Sequence, residues 1–88
     1  MKENNMNEFM KTKDVAQRLK KSIGGVYLDV RKGLLSPQIK TGERSSAFIV
    51  SEIERVIDAR IKGMDNDEIR VLVAQIVAER NQPKEVTA

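Results

Sequence analysis

The sequence predicts a small, mostly helical domain that also contains one short β-hairpin. Two observations support this fold class: four segments carry apolar residues at helical spacing, and two short strand-like segments flank a turn. Hydrophobic residues make up 40% of the 88 residues and charged residues 33%, a balance typical of a folded chain rather than a disordered one. The length is enough for one modest hydrophobic core.

The composition excludes several classes of function. The chain has no Cys and no His, so we expect no zinc site, no disulfide, no histidine-based catalysis, no cofactor and no enzymatic activity. The only aromatic residues are Phe9, Tyr27 and Phe48, which argues against a single-strand binder that stacks bases on aromatic rings. No apolar run resembles a signal peptide or a membrane span, so we expect a soluble, intracellular protein.

The first two predicted helices are short and closely spaced. Phe9 and Met10 form an extended piece, and Thr12 is the expected N-cap of a helix that runs to about Leu19. Lys20 and Lys21 form a tight connection to a second helix, which is capped by Ser22 and ends at Gly33, where a positive φ suits glycine. Two helices joined in this way are typical of a helix-turn-helix.

The second helix is the expected contact with a partner. Ile23, Val26 and Val30 recur at helical spacing and predict a buried stripe. Two glycines near the start of a helix cost about 1 kcal/mol each relative to alanine, and close approach to a partner's backbone would offset that cost. The alternative is a helix that is merely short and weak. The positions that lie largely off the stripe are Gly24, Gly25, Tyr27, Leu28, Arg31 and Lys32.

A β-hairpin is predicted after the second helix. Residues 38–40 and 46–49 are the two strands, and residues 41–44 form the turn between them. With Lys40 and Arg44 at its tip, the hairpin resembles the wing of a DNA-binding domain, which reaches the minor groove of the DNA or its phosphates. It could equally close the small core, and both interpretations can hold together.

The third helix is predicted from a capping box formed by Ser51 and Glu54, and it ends at Lys62-Gly63. Its apolar face is expected to consist of Ile53, Val56, Ile57 and Ile61. The alternating charges of this helix indicate a solvated surface rather than a catalytic pair, and they belong to Glu52, Glu54, Arg55, Asp58 and Arg60.

The fourth helix is predicted from a second capping box, with Asp65 as the cap and Glu68 as its partner, and it runs to about Arg80 or Asn81. A helix this apolar needs a partner, which is either the core of its own domain or a second subunit. Both alternatives stay open, and the candidate self-association residues are Ile69, Leu72, Val73, Ile76 and Val77.

Charge is distributed unevenly along the chain. Residues 11–44 carry nine basic and three acidic side chains, whereas residues 45–88 carry six basic and eight acidic ones. A basic half indicates a surface for a polyanion, which here would be double-stranded DNA. We expect Lys20, Lys21 and Lys32 to bind phosphates. Base edges would be met by the face that holds Gly24, Gly25, Leu28 and Arg31, with Arg31 as the best candidate for a guanine contact.

Several short motifs together resemble a known family. They are the pair Val15-Ala16, Tyr27 and Gly33 in a Ser-capped helix, Pro37, the wing pattern Lys40-x-Gly42-x-Arg44, and Ser51-Glu52-Ile53. Over roughly residues 9–62 the chain resembles the AlpA family of small phage and prophage regulators, which are MerR-like winged helices related to phage excisionases. It departs from that family in having no turn glycine at 18–20, glycines at 24 and 25, no wing tryptophan and one extra residue before Pro37.

The resemblance implies a winged helix-turn-helix over residues 9–62, followed by an amphipathic C-terminal helix over 63–82. We expect residues 1–8 to be a loose arm and residues 83–88 a disordered tail. The family's function would be transcriptional regulation of a phage or mobile element, excision of that element as a recombination directionality factor working with an integrase, or both. The place of action would be the cytoplasm and nucleoid of a bacterial host.

By the same resemblance, Ser22, Tyr27 and Arg31 match recognition-helix positions and Arg44 matches the wing. Two other classes of function stay open. One is a DNA-packaging protein resembling a small terminase subunit, in which the last helix forms a multimer. The other is a protein–protein module, such as an antirepressor, that uses the stripe of Ile69 to Val77 and binds no DNA.

Overall fold

Four helices and a three-stranded antiparallel sheet make up residues 8–80, the part of the chain that the computed structural model describes. The predicted mostly helical chain with a β-hairpin is confirmed at this level. The predicted tail and all of the predicted arm except Glu8 lie outside the described residues. The elements in chain order are β1 (Phe9–Met10), α1 (Thr12–Leu19), α2 (Ile23–Arg31), β2 (Ile39–Lys40), β3 (Ser46–Ile49), α3 (Val50–Ile61) and α4 (Asn66–Arg80).

The start of α1 differs from the prediction. Lys11 is the N-cap residue, and Thr12 is already helical, so the assignment of Thr12 as N-cap is wrong. The Thr12 hydroxyl oxygen instead accepts a hydrogen bond of 3.0 Å from the side-chain amide of Gln38. A partner distant in sequence thus takes the place of the helix's own free N–H groups. At the other end, α1 stops where Lys20 adopts a left-handed conformation, with φ of 59°.

Both predicted ends of α2 are confirmed. The Ser22 hydroxyl oxygen accepts a hydrogen bond of 3.0 Å from the Gly25 N–H, which caps the first turn. Gly33 has a φ of +77°, its N–H donates to the Val30 carbonyl, and the next N–H donates to the Asp29 carbonyl. This pair of bonds is a Schellman motif, which favours glycine at the left-handed position.

The buried face of α2 is narrower than predicted. Val26 is fully buried and Val30 is half-buried against the core, as expected. Ile23, by contrast, is 47% exposed, so its place in the buried stripe is wrong. It lies in the first turn of α2 and lines an open cleft beside Ala16 and Gln17, instead of entering the closed core.

The predicted hairpin is confirmed as the pairing of β2 with β3. Ile39 lies opposite Ala47 and Lys40 opposite Ser46, and the Thr41 N–H donates to the Ser45 carbonyl at 3.0 Å. The extended piece predicted at Phe9-Met10 is β1, which adds a third strand on the other side of β3. The sheet order is therefore β1-β3-β2.

The prediction that Ser51 caps α3 is wrong, because the helix continues directly from β3. Ile49 is the N-cap residue and makes no side-chain capping bond. The Val50 N–H is bound instead by the Glu8 carbonyl, at 2.8 Å. The Glu54 carboxylate, expected in the capping box, forms an ion pair with Arg18 at 2.7 Å. The predicted end at Lys62-Gly63 is confirmed, with a φ of +89° at the glycine.

Two side chains of α3 lie where the pattern did not place them. Ile61, predicted on the apolar face, is strongly exposed in the last turn. Glu52, predicted on the solvated surface, is buried and forms an ion pair with Arg80 of α4. The carboxylate is buried because the end of α4 covers the start of α3. The remaining charged side chains of α3 are exposed as predicted.

The capping box of α4 is confirmed in both directions. The Glu68 N–H donates to the Asp65 carboxylate and the Asp65 N–H donates to the Glu68 carboxylate, each at 2.9 Å. The apolar stripe of this helix packs into its own domain: Ile69, Val73 and Ile76 are buried, while Leu72 and Val77 are half-buried against the core.

A single core joins all four helices and the sheet. No described helix has the length and apolar character needed to cross a membrane. The buried residues of the core cluster are Val15, Ala16, Val26, Leu34, Leu35, Phe48, Ile53, Val56, Ala59, Ile69, Val73 and Ile76.

Candidate nucleic-acid interface

The exposed face of α2 is the centre of the candidate interface. Gly24, Leu28 and Arg31 follow one another at helical spacing, and Tyr27 lies at the edge of the same face. At about 100° per residue these four positions span an arc of roughly 100°, opposite the buried Val26. Tyr27 and Leu28 are each 43% exposed, so this face presents apolar surface to solvent in the described chain.

Arg31 is the polar side chain of α2 that has no partner among residues 8–80. The other two polar side chains of this helix are engaged: the Tyr27 hydroxyl lies 3.3 Å from the Thr12 hydroxyl, and Asp29 forms an ion pair with Lys21. The guanidinium of Arg31 is exposed near the end of the helix. Its donors are therefore available to an external acceptor.

The two glycines of α2 differ in their structural explanation. A Cβ added at Gly25 would lie 3.3 Å from the Ser22 hydroxyl oxygen, so it would crowd the atom that caps the helix. A Cβ added at Gly24 would meet that same oxygen only at 4.0 Å, which is no crowding. Gly24 also lacks a positive φ. Packing within the described chain therefore explains Gly25 but leaves Gly24 without a reason.

The replacement Gly24→Ala is expected to raise the free energy of unfolding by about 0.5–1 kcal/mol, because alanine restricts the unfolded chain and favours helix. Chemical denaturation followed by circular dichroism measures this change. The matched control is Gly33→Ala, which should destabilise the protein because φ is +77° there. A loss of stability in Gly24→Ala would contradict the prediction and show that the fold itself needs this glycine.

The predicted phosphate-binding residues fall into two groups. The side-chain charges of Lys20, Lys32 and Arg44 are exposed and have no partner among residues 8–80. The remaining two are engaged: the Lys21 ammonium pairs with Asp29, and the Lys40 ammonium donates to the Glu43 carbonyl at 3.3 Å. Lys21 is therefore a weaker candidate for a phosphate contact than Lys20.

An open cleft of about 630 Å³ between α1 and α2 brings several of these groups together. It is lined by Lys20, Lys21 and Ser22, which were predicted, and also by Lys13, which sequence reasoning missed. Lys13 and Gln17 are four residues apart and share one face of α1, and Lys20 follows as the C-cap residue of the helix. That spacing was the available signal for Lys13.

The hairpin is connected to α2 by hydrogen bonds. The Gln38 amide, immediately before β2, donates to the Thr12 hydroxyl, which in turn contacts the Tyr27 hydroxyl. This series of hydrogen bonds links the exposed face of α2, the start of α1 and the start of the hairpin that carries Arg44. The predicted wing and the predicted recognition helix are thus held by a shared set of contacts.

The end of α2 is held by Arg70 of α4, a positioning residue that sequence reasoning missed. Its Nε donates to the Lys32 carbonyl at 2.9 Å, and its Nη1 pairs with Asp67 at 3.1 Å. A contact across 38 residues of sequence leaves no local signal. Through this bond α4 fixes the turn that carries Lys32.

The candidate self-association residues lie on the inner side of α4, against the core, as described above. The outer side of the same helix exposes Val71, Ala74 and Ala78. Within the described residues no cluster of three or more acidic side chains is arranged to hold a metal ion. Comparison with known proteins finds no matching family model, and no curated protein or solved structure that this chain matches significantly.

Proposed function

We propose that this protein is a sequence-specific binder of double-stranded DNA and that α1, α2 and the hairpin act as a winged helix-turn-helix. The observation that carries the proposal is the exposed face of α2. There Gly24, which packing among the described residues does not explain, shares one arc with the exposed Leu28 and with Arg31, which has no partner among residues 8–80. Residues that anchor the helix in the core lie opposite this arc.

In this proposal the exposed face of α2 enters the major groove. An α-helix fits the width of that groove, and an arginine that meets a guanine there makes two parallel hydrogen bonds. Arg31 takes this role, and Gly24 lets the helix backbone come close to the DNA. Close approach to the DNA is a reason for Gly24 that packing among residues 8–80 does not supply.

The surrounding cations bind the phosphate backbone. Lys13 and Lys20 lie at one end of α2 and Lys32 at the other, so they are suited to bind phosphates on the two sides of the groove. Arg44, in the turn of the hairpin, is suited to the neighbouring minor groove or its phosphates. Together these contacts would set the position of α2 along the duplex.

The resemblance to the AlpA family extends the proposal to a biological role. The protein would regulate transcription of a phage or mobile element, direct its excision together with an integrase, or do both, in the cytoplasm of a bacterial host. Mapping of the DNA segments that the protein protects distinguishes the roles. Protection at an attachment site beside an integrase gene supports excision, and protection at a promoter alone supports transcriptional control.

Binding of labelled duplex DNA at increasing salt concentration tests the proposal. With about four phosphate contacts, the affinity should fall roughly a hundredfold between 50 and 200 mM salt, because binding releases condensed counterions. The double replacement of Lys20 and Lys32 by Gln should reduce the magnitude of the log–log slope by about 2.

The matched control removes the same charge elsewhere, by replacing Arg55 and Lys62 of α3 with Gln. Both side chains are exposed and lie outside the candidate interface. This control should leave the salt dependence close to that of the unmodified protein. Equal effects of the two double variants, or binding that does not respond to salt, would contradict the proposal.

The two alternative functions depend on the apolar stripe of α4. Because that stripe packs against the core of its own domain, it is not an exposed surface for a multimer or a protein partner. The mass of the protein in solution tests the packaging alternative directly. A stable ring without DNA would favour packaging over the function proposed here.

A further inference from the structure

The exposed face of α2 offers few hydrogen-bonding groups, and this bears on which DNA sequence it would recognise. Arg31 is the one polar side chain of α2 without a partner among residues 8–80, because the Tyr27 hydroxyl and Asp29 are engaged elsewhere. Gly24 has no side chain. The remaining exposed side chain of the face is Leu28, which is purely apolar.

An apolar side chain in the major groove packs favourably against one apolar group of the bases. Base edges there present hydrogen-bond donors and acceptors, and the apolar group among them is the C5-methyl of thymine. Leu28 offers no hydrogen bond and would leave a donor or acceptor of any other base edge without a partner. The ring of Tyr27 is less free to adjust, since its hydroxyl is held at Thr12.

The spacing of Leu28 and Arg31 along α2 determines how far apart the two contacted base pairs are. Three residues of helix span about 4.5 Å along the axis, and base pairs follow one another every ~3.4 Å. The two side chains therefore reach base pairs that are neighbours or nearly so. Gly24, one turn before Leu28, removes the side chain that would otherwise hold this part of the helix away from the groove.

We infer that Leu28 is a specificity-determining residue that packs on a thymine methyl group, next to a guanine bound by Arg31. This inference rests on the proposed function, since it requires α2 to lie in the major groove. The inference specifies a class of DNA site, in which guanine and thymine belong to adjacent base pairs or are separated by one base pair.

Replacement of thymine by uracil tests the inference, because uracil keeps the hydrogen-bonding groups of thymine and lacks only the methyl group. Duplexes are first enriched by the unmodified protein from a randomised pool and then resynthesised with deoxyuridine in place of thymidine. The unmodified protein should bind the deoxyuridine duplex about four-fold more weakly for the one methyl group that Leu28 covers.

The variant Leu28→Ala should bind the thymine duplex about four-fold more weakly than the unmodified protein and should no longer distinguish the two duplexes. The control is Val71→Ala, an exposed apolar position on the outer side of α4, which should keep the full preference for thymine. Far-ultraviolet circular dichroism of both variants confirms that they are folded during the measurement.

The possible outcomes distinguish failure of the inference about Leu28 from failure of the proposed DNA binding. If Leu28→Ala binds DNA but keeps the same preference for thymine over uracil, the inference is overturned and DNA binding stands. If the unmodified protein binds the two duplexes equally, the inference is again overturned. If no duplex is bound at any salt concentration, the proposed function fails and the inference fails with it.

Discussion

Replacement of Arg80 by leucine should lower the free energy of unfolding by about 3–5 kcal/mol, because it leaves the buried Glu52 carboxylate without its counter-charge. The Glu52 side chain is only 9% exposed and that of Arg80 18%. Chemical denaturation followed by circular dichroism measures the loss. In a domain of this size a loss of that magnitude would remove a large share of the total stability.

The geometry of this ion pair explains the size of the expected effect. Arg80 binds Glu52 with two parallel contacts, Nε to Oε2 at 2.8 Å and Nη2 to Oε1 at 2.5 Å, and Nη2 also donates to the Pro37 carbonyl. One guanidinium thus connects the end of α4, the start of α3 and the segment before β2. Its removal leaves three acceptors, the two Glu52 carboxylate oxygens and the Pro37 carbonyl, without this donor in a largely dry environment.

The chain contains a matched control for this prediction. Arg55 and Glu79 also join α3 to α4, at 2.8 Å, but their side chains are 41% and 47% exposed. Replacement of Arg55 by leucine should therefore lower stability by no more than about 1 kcal/mol. Addition of Glu52→Gln to Arg80→Leu should recover part of the loss, because the uncompensated charge is removed. Similar losses for Arg80→Leu and Arg55→Leu would show that burial of the first pair has no energetic consequence.

Replacement of Arg31 by alanine should weaken binding to an enriched duplex by about 1–3 kcal/mol, which is roughly 5- to 150-fold, while binding to random duplex changes far less. The physical reason is that a guanidinium makes two hydrogen bonds to O6 and N7 of guanine, whereas no other base edge presents two adjacent acceptors in the major groove. Fluorescence anisotropy on both duplexes at one salt concentration measures the two losses.

Lys32→Ala is the neighbouring control, since Lys32 is exposed and suited to a phosphate contact only. It should weaken binding to both duplexes about equally. Lys21→Ala should have a smaller effect than Lys32→Ala, because Lys21 is already paired with Asp29. Equal losses on enriched and random duplex for Arg31→Ala would remove Arg31 from the recognition of bases.

The ends of the helices were largely predictable because the interactions that form them are local. Ser22 binds an N–H three residues away, Asp65 and Glu68 bind each other across the same interval, and the glycines at 33 and 63 adopt left-handed conformations. Where a distant partner competes, the local signal misled. Thr12 and Ser51 both follow capping patterns, yet the Thr12 hydroxyl accepts from the Gln38 amide, and α3 begins one residue before Ser51, at Val50, whose N–H donates to the Glu8 carbonyl.

The candidate site was only partly predictable for the same reason. The helical spacing of α2 placed Leu28 and Arg31 off the buried stripe, and the structure leaves both exposed. The pattern did not reveal that Lys21 is paired with Asp29, that Lys13 lines the same cleft, or that Arg70 holds the Lys32 carbonyl. These contacts join different elements, so no single stretch of sequence contains them.

The amino-acid sequence by itself determined the mostly helical fold class, the hairpin, the caps of α2 and α4 and the basic character of the first half, because each depends on residues within one turn or on composition. Only the tertiary structure decided that α4 turns its apolar stripe into its own core, that Glu52 is buried with Arg80, and that Lys21 is paired with Asp29. Burial and pairing depend on which surfaces meet when the chain folds. Helical spacing shows that a face is apolar, and packing alone shows what covers it.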